Sequence, residues 1–239
     1  MIKIENVETM GWGGAIRGMR NAMNSWDKSD SKFCRYSCIT MDDSLDEEDC
    51  NFMCASNFRR GFMQIGEADM KLCKNLIKAG SSDRKFMRMI HVQADVTAPL
   101  YWWKEYDTYK VGTVANSCST MHTLHKRDLT IDDFSHEHLD DTFGKTALIE
   151  NIRVINNARA YYNESKSKED WYAMIQLLPS SFNQMRTIDL DYETLFSIYH
   201  QRKNHKLDEW RGFCKWIETL PYMKEFLGLG ETNDSERTD

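Results

Sequence analysis

The sequence predicts an α+β fold in which helices dominate the C-terminal half. Two segments alternate apolar and polar residues as strands do: a short one over Ile2-Lys3-Ile4-Glu5 and a longer one from Phe86 to Val96. The other periodic segments repeat their apolar residues every three to four positions, which is the spacing of a helix with one buried face. Most of these helical segments lie after residue 140.

Apolar periodicity gives the bounds of the predicted helices. Gly80 stands where a helix C-cap belongs, Thr97-Ala98-Pro99 is typical of a helix entrance with Thr97 as the cap, and Pro179 and Pro221 end two of the helices. The segment Thr130-Ile131-Asp132-Asp133 indicates a further helix cap. The predicted helices are 15–26, 67–79, 100–111, 145–162, 170–178, 192–201 and 206–217.

The bulk composition limits the function classes. Of the 239 residues, 41% are hydrophobic, which is enough to bury a core as one large domain or two small ones. The formal charge of -6 gives no general positive field for a nucleic-acid polymer, although monomeric nucleotides stay open as ligands. No run approaches the ~18 apolar residues that cross a membrane, and the N-terminus lacks the layout of a secretion signal. We therefore expect a cytoplasmic protein without membrane or nucleic-acid partners.

Neither the cysteines nor the histidines form a convincing metal motif. Seven cysteines, an odd number, fit a reducing compartment better than a disulfide framework. Cys34 with Cys38 and Cys50 with Cys54 could each face one side of a helix, but their spacing is not the CxxC of zinc knuckles. The histidines of Ser135-His136-Glu137-His138 are two apart, so on a helix they diverge. We expect no metal site.

Residues 1–227 are predicted to form a single domain with an acidic insertion at about 27–49. The insertion is rich in Ser and Asp and is interpreted as a solvated loop or helix start. Residues 228–239 combine Gly, Ser, Thr and charge, and are predicted to be disordered.

Function is expected first in the stretch from Val96 to His122. Its aromatic first half gives way after Gly112 to a segment with no clean period and many hydroxyl and amide side chains. Such a segment can present backbone N–H groups and hydroxyls to an anion, as phosphate sites do. The alternative is a Ser/Thr-rich turn that satisfies only its own backbone.

Several short motifs follow one another in order between residues 67 and 221. Val96-Thr97-Ala98-Pro99 precedes the aromatic helix, and Leu178-Pro179 is followed by a predicted helix that ends in Gln201-Arg202. Asn204-His205 and Glu209-Trp210-Arg211 come next. Their order and spacing resemble those of the flavin-dependent thymidylate synthases, whose corresponding elements are the segment carrying an RHR signature and the LP, LR, H and EIR motifs.

The chain departs from that family pattern where the family has cations. Thr108-Tyr109-Lys110 stands at the RHR position, and the serine-rich part fits only with an insertion of about two residues, with His122 in place of the final arginine. Ile175 replaces an arginine, and Arg88-Met89 stands where an acid and a histidine are expected. In the family pattern each of these charged side chains would bind a phosphate or the flavin. A hydrogen bond to a charged group contributes about 1.5 to 3 kcal/mol.

The resemblance implies a mixed or antiparallel sheet flanked by helices, and a homotetramer that holds FAD where subunits meet. It implies reductive methylation of dUMP to dTMP, a methyltransferase reaction of nucleotide biosynthesis in which methylenetetrahydrofolate and NADPH are co-substrates of a flavoprotein. The flavin would do the organic chemistry, so the protein would supply positioning and charge.

The site residues implied by the resemblance come from both ends of the matched region. Arg202 would bind dUMP through its planar guanidinium, with Glu105 near the base, and these two form the predicted catalytic pair. The predicted dUMP site is completed by Asn116, Ser117 and Ser119. The predicted FAD contacts are Tyr109, Lys110, Thr113 and His205.

Two other functions fit the same sequence. The degenerate RHR position and Ile175 favour a relative that modifies or only binds a different pyrimidine nucleotide. The abundant Trp, Tyr and Met side chains could instead line the interface of a non-catalytic oligomer.

Overall fold

The computed structural model describes residues 2–33 and 63–229. The four cysteines between residues 34 and 54, most of the acidic insertion and the tail after residue 229 lie outside these ranges. Numbered along the described residues, the strands are β1 (Lys3–Met10), β2 (Lys32–Phe33), β3 (Met63–Gln64), β4 (His91–Pro99), β5 (Thr113–Ser117) and β6 (Asn183–Asp191). The α-helices are α1 (Trp12–Met19), α2 (Glu67–Ala79), α3 (Leu100–Tyr106), α4 (Thr120–Thr123), α5 (Gly144–Ser165), α6 (Lys168–Leu177), α7 (Tyr192–Arg202), α8 (Asp208–Ile217) and α9 (Met223–Phe226).

A four-stranded antiparallel sheet in the order β1-β4-β6-β5 is the centre of the fold. Its two inner strands pair along their whole length, from His91 opposite Asp191 to Pro99 opposite Asn183. The sheet and its surrounding helices confirm the predicted α+β class, with an antiparallel sheet.

Strand β4 carries the core face that its alternation predicted. Val92, Ala94 and Val96 are buried, as are Phe86 and Ile90 before the strand. The predicted start at Phe86 is wrong, because Lys85–Met89 forms a 3₁₀ turn. Thr97 lies within β4 opposite Met185, so it does not cap α3.

The periodicity of the sequence predicts no strand after Val96, so β5 and β6 differ from the prediction. The buried residues of β6 are Ile188, Leu190 and Asp191 at its C-terminal end, and its only other apolar residue, Met185, is exposed. With so little apolar alternation, pairing to β4 rather than local propensity determines this strand.

Helix α3 ends earlier than predicted, at Tyr106, because the chain turns before β5. Gly112 has φ 70, and a Cβ there would lie 2.2 Å from the Asp191 carboxylate. Only glycine combines this left-handed conformation with so close an approach. The turn lets β5 pair with β6 at the edge of the sheet.

The helices build two hydrophobic clusters. The larger packs the sheet against α1, α2, α3, α7 and α8, and the smaller lies under the α5 and α6 hairpin around Ile152, Ile155 and Met174. Helix α2 has the predicted bounds, while α1 spans Trp12–Met19 rather than 15–26. Thr130 and Asp133 form a capping box, which confirms the predicted cap.

The loop after α1 is fixed to α2 by a buried ion pair. Arg20 Nε lies 2.5 Å from Asp69 Oδ1, and the other Asp69 oxygen accepts hydrogen bonds from Ser29 and Ser31. This arrangement orders the segment that leads into β2. In the described part of the chain, no helix is long and apolar enough to cross a membrane.

Candidate functional site

Glu105, on the last turn of α3, is the centre of a polar cluster where three elements meet. Its Oε2 accepts hydrogen bonds of 2.9 Å from Arg202 Nη1 and from Trp210 Nε1. His205 Nε2 lies 3.4 Å from the same oxygen. Arg202 ends α7, Trp210 is in the first turn of α8, and His205 lies in the loop between them. We call Glu105, Tyr109, Arg202, His205 and Trp210 the Glu105 cluster.

Arg202 is oriented by the cluster but keeps hydrogen-bonding capacity. Its Nε donates to the Tyr109 hydroxyl at 2.9 Å, and its guanidinium carbon lies 4.8 Å from the centre of the Trp210 ring. Its Nη2 donates to no residue that the structure describes, and the side chain is 21% exposed. A fixed guanidinium with one open N–H edge can bind a carbonyl or phosphate oxygen of a ligand.

Three of the four predicted FAD contacts already use their polar groups within the chain. The Tyr109 hydroxyl donates to Gln201 at 3.0 Å, and the Thr113 hydroxyl donates to the Tyr109 carbonyl. His205 Nδ1 accepts from the Leu207 N–H at 3.2 Å, so its proton lies on Nε2, which faces Glu105. Lys110 is exposed.

The predicted phosphate residues lie along the edge strand rather than in the Glu105 cluster. Asn116 and Ser117 are exposed on β5, opposite Thr187 and Arg186, and Ser119 precedes α4. Within β5, Ser117 is four residues from Thr113, or about 13 Å at the rise of a strand. The segment expected to be a loop is a strand, and it carries these side chains away from the cluster.

Arg186 is not among the predicted site residues, because it lies in the unpredicted strand β6. It pairs with Ser117 in register, and its Nη1 lies 2.7 Å from the Asp107 carboxylate. Its guanidinium stacks on the Trp103 ring at 4.3 Å. The structure thus brings a cation next to the predicted phosphate residues.

An aromatic layer supports the Glu105 cluster from the core side. Trp102, Tyr106 and Trp210 pack with ring centres about 5 Å apart, and Trp102 and Trp210 are fully buried. Burial raises the pKa of Tyr106, so its hydroxyl stays protonated. Such rigid packing fixes the position of the polar atoms above it.

No group of three or more His, Cys, Asp or Glu side chains in residues 2–33 and 63–229 is arranged to hold a metal ion. Glu105, which could contribute to one, is surrounded by cationic and N–H donors.

Comparison with solved structures identifies the fold. A crystal structure of Thymidylate Synthase X from Helicobacter pylori with FAD and dUMP matches with a TM-score of 0.62 and 12% sequence identity, over 95% of this chain and 97% of that chain. This chain has the thymidylate synthase X fold. A second structure is that of the flavin-dependent thymidylate synthase ThyX from Helicobacter pylori complexed with FAD and dUMP. It matches with a TM-score of 0.60 and 14% sequence identity, over 93% of this chain and 97% of that chain. No family model and no curated protein matches the sequence.

Proposed function

We propose that the protein binds a pyrimidine nucleotide at the Glu105 cluster and catalyses the reductive methylation of dUMP to dTMP. The observation that carries this proposal is the contact between Glu105 and Arg202, which lie 97 residues apart and were assigned from separate motifs. The thymidylate synthase X fold of the chain, matched in structures that contain dUMP, supports the same ligand class.

The cluster has the chemistry needed to recognise a nucleotide. Glu105 would fix the Arg202 guanidinium, whose open Nη2 edge would then meet a uracil carbonyl or a phosphate oxygen. Asn116 and Ser117 on β5, and Ser119 just before α4, would contact the phosphate, with Arg186 as the neighbouring cation. A phosphate there would compete with Asp107 for Arg186.

The four proposed FAD contacts fit the cofactor only in part. FAD, when bound, would supply hydride transfer, with NADPH as reductant and methylenetetrahydrofolate as carbon donor. Of these residues, Lys110 has an exposed charge, whereas Tyr109, Thr113 and His205 hydrogen-bond within the chain. Further donors would have to come from a second subunit, and we therefore propose the homotetramer that the resemblance implies.

A second candidate function is nucleotide binding, or modification of another pyrimidine nucleotide, without flavin chemistry. The internal hydrogen bonds of Tyr109, Thr113 and His205 favour it, because these groups have fewer donors left for a flavin. A non-catalytic oligomer of the same fold would bind neither ligand.

Flavin content and dUMP affinity distinguish these functions. If the protein is a thymidylate synthase, we expect the purified protein to show flavin absorbance or to take up added FAD, and to bind dUMP with heat release in calorimetry. We expect light scattering to give the mass of a tetramer. A colourless protein that binds dUMP or another pyrimidine nucleoside monophosphate but not FAD would support the second candidate, and a protein that binds neither FAD nor any of these nucleotides would contradict both.

Replacing Arg202 by lysine is expected to weaken dUMP binding at least about tenfold, or roughly 1.4 kcal/mol. Lysine keeps the charge but loses the planar fork that reaches Glu105, Tyr109 and a ligand at once. Alanine should weaken binding slightly more, and calorimetric titration of dUMP measures both variants.

Arg153→Lys is the matched control, since Arg153 pairs with Glu150 on the exposed face of α5 and with no other acid among the residues that the structure describes. It should bind dUMP as the wild type does. Equal dUMP affinity in the wild type, Arg202→Lys and Arg202→Ala would remove Arg202 from the site and most of the support for a thymidylate synthase.

A further inference from the structure

Strand β5 forms one edge of the central sheet. In the order β1-β4-β6-β5, its inner side pairs with β6, and no other described strand pairs with its outer side. Every residue of β5 from Val114 to Ser117 is exposed, and Val114 is 68% exposed. A strand edge of this kind presents its outward N–H and C=O groups to a further strand.

The pairing of β5 with β6 determines which main-chain groups point outward. The Cys118 N–H donates to the Met185 carbonyl, and the Asp191 N–H donates to the Gly112 carbonyl. Hydrogen-bonded positions alternate along an antiparallel pair, so the even-numbered residues of β5 bond to β6. The outward N–H and C=O groups are those of the odd-numbered residues, Thr113, Ala115 and Ser117.

The opposite edge of the sheet, β1, is protected against pairing, whereas β5 is not. β1 carries the charged residues Lys3, Glu5 and Glu8. Its register with β4 shifts between Glu5 and Glu8, where Asn6 has φ 50. Charged side chains and irregular pairing are among the features by which natural proteins prevent association of strand edges. The β5 sequence TVANS has no charge and no proline, and its register with β6 is continuous.

The sequence of β5 is compatible with pairing to itself. About a two-fold axis at Ala115, Thr113 of one copy meets Ser117 of the other, and Val114 meets Asn116. No charged residue of the strand then lies opposite a like charge, which would destabilise a sheet. The outward groups of Thr113 and Ser117 bond to each other on both sides of the axis, because their positions are mirrored.

We propose that the outer edge of β5 binds β5 of a second copy of this chain, in an antiparallel two-fold pair centred on Ala115. The pair joins the two four-stranded sheets into one continuous sheet. It uses main-chain groups, so it goes beyond the proposed nucleotide site and forms without dUMP or FAD. A dimer is sufficient for the pair, so it does not depend on the proposed homotetramer.

The pairing is tested on the full chain without ligand, by sedimentation velocity and by amide hydrogen exchange. In the associated wild type, we expect the outward amides of Thr113, Ala115 and Ser117 to exchange at least about tenfold more slowly than unstructured amides of the same sequence. Ala115→Pro removes the central outward N–H of each copy and leaves the bonds to β6 in place. The loss of these two hydrogen bonds should weaken association at least about tenfold. Ala115→Ser keeps the N–H and is the matched control, which should associate as the wild type does.

A wild type that is monomeric at every concentration, or that associates without protecting the three outward amides, would overturn the proposal. These two measurements need no variant, so they decide the matter even if Ala115→Pro does not fold. Equal association of the wild type and a folded Ala115→Pro protein would also overturn it, whereas weaker association in Ala115→Pro but not in Ala115→Ser would support it. No nucleotide is present, so failure here leaves the dUMP titrations of the Arg202 variants unaffected.

Discussion

Replacement of Asp69 by alanine is expected to lower the free energy of unfolding by about 3 to 5 kcal/mol. Asp69 is fully buried, and Arg20, its ion-pair partner at 2.5 Å, is only 5% exposed. The substitution leaves a guanidinium charge buried without its carboxylate. Breaking one side of a buried pair costs more than the pair contributes, because the remaining charge is no longer compensated.

Hydrogen bonds add to this loss. Besides Arg20, Asp69 accepts from the Ser29 hydroxyl at 2.6 Å and from the Ser31 hydroxyl and N–H at 2.5 and 3.2 Å. The substitution therefore also removes the acceptor for two hydroxyls and one backbone N–H in the loop after α1.

The Asp69 contribution should depend on pH. Burial alone would raise the pKa of Asp69, but hydrogen bonds from Ser29, Ser31 and Arg20 more than offset this, and the pKa is lowered from its ordinary value of 3.8. A carboxyl group with a lowered folded-state pKa stabilises the fold above its unfolded pKa, and this stability is lost as the pH falls through the folded pKa. We expect the difference between wild type and Asp69→Ala to be constant at neutral pH and to shrink below about pH 4.

Urea unfolding at pH 7 and at a series of acidic pH values measures both effects. Asp141→Ala is the control because Asp141 is exposed and its pair with Lys145 should not affect unfolding measurably. The double variant Arg20→Met with Asp69→Leu removes both charges and should be more stable than Asp69→Ala. A loss below about 1 kcal/mol in Asp69→Ala would mean that the ion pair does not hold the loop.

Replacement of Trp210 by alanine is expected to lower the free energy of unfolding by about 3 to 5 kcal/mol and to abolish dUMP binding. Trp210 is fully buried, its ring centre lies 4.8 Å from that of Trp102, and its Nε1 donates to Glu105. Truncation would leave a large cavity under Glu105 and Arg202. Both residues would then lose their fixed positions.

Trp210→Phe separates packing from positioning. Phenylalanine keeps most of the apolar contact but has no N–H for Glu105, so we expect a stability loss of about 1 to 2 kcal/mol and a clearly weaker dUMP affinity. Phe213→Leu, in the same aromatic cluster but without a hydrogen bond to the site, is the control that should lose stability and keep dUMP affinity. If Trp210→Phe bound dUMP like the wild type, the hydrogen bond to Glu105 would have no role in the site.

The parts of the fold that were predictable are those that local sequence determines. The bounds of α2 were predicted because its apolar stripe ends at Gly80, whose φ of 117 closes the helix. The strands β5 and β6 were not predictable, since β5 exposes nearly every side chain and β6 is stabilised by partners far away in the sequence. The 3₁₀ turn before β4 likewise buries Phe86 without being a strand.

The residues of the candidate site were likewise predictable only in part. Glu105, Tyr109, Arg202 and His205 were named from a motif order, and the structure brings these four together. The contributions of Trp210 and Arg186 were missed, because an aromatic side chain at helical spacing indicates a core residue and Arg186 lies in an unpredicted strand. The role of each predicted residue toward dUMP or FAD stays a prediction.

The pairing of β4 with β6 has a consequence for synthesis of the protein. Each β4 residue meets a partner that follows it in the chain by 84 to 100 positions. At about 5 to 20 residues per second, translation needs roughly 5 to 20 seconds to supply that partner. During this interval the apolar residues of β4 are exposed and one edge of the strand is unpaired. An unpaired strand edge can pair with another nascent chain and cause aggregation. We expect yield of soluble protein to depend on chaperones and on expression temperature more than the stability of the finished fold would suggest.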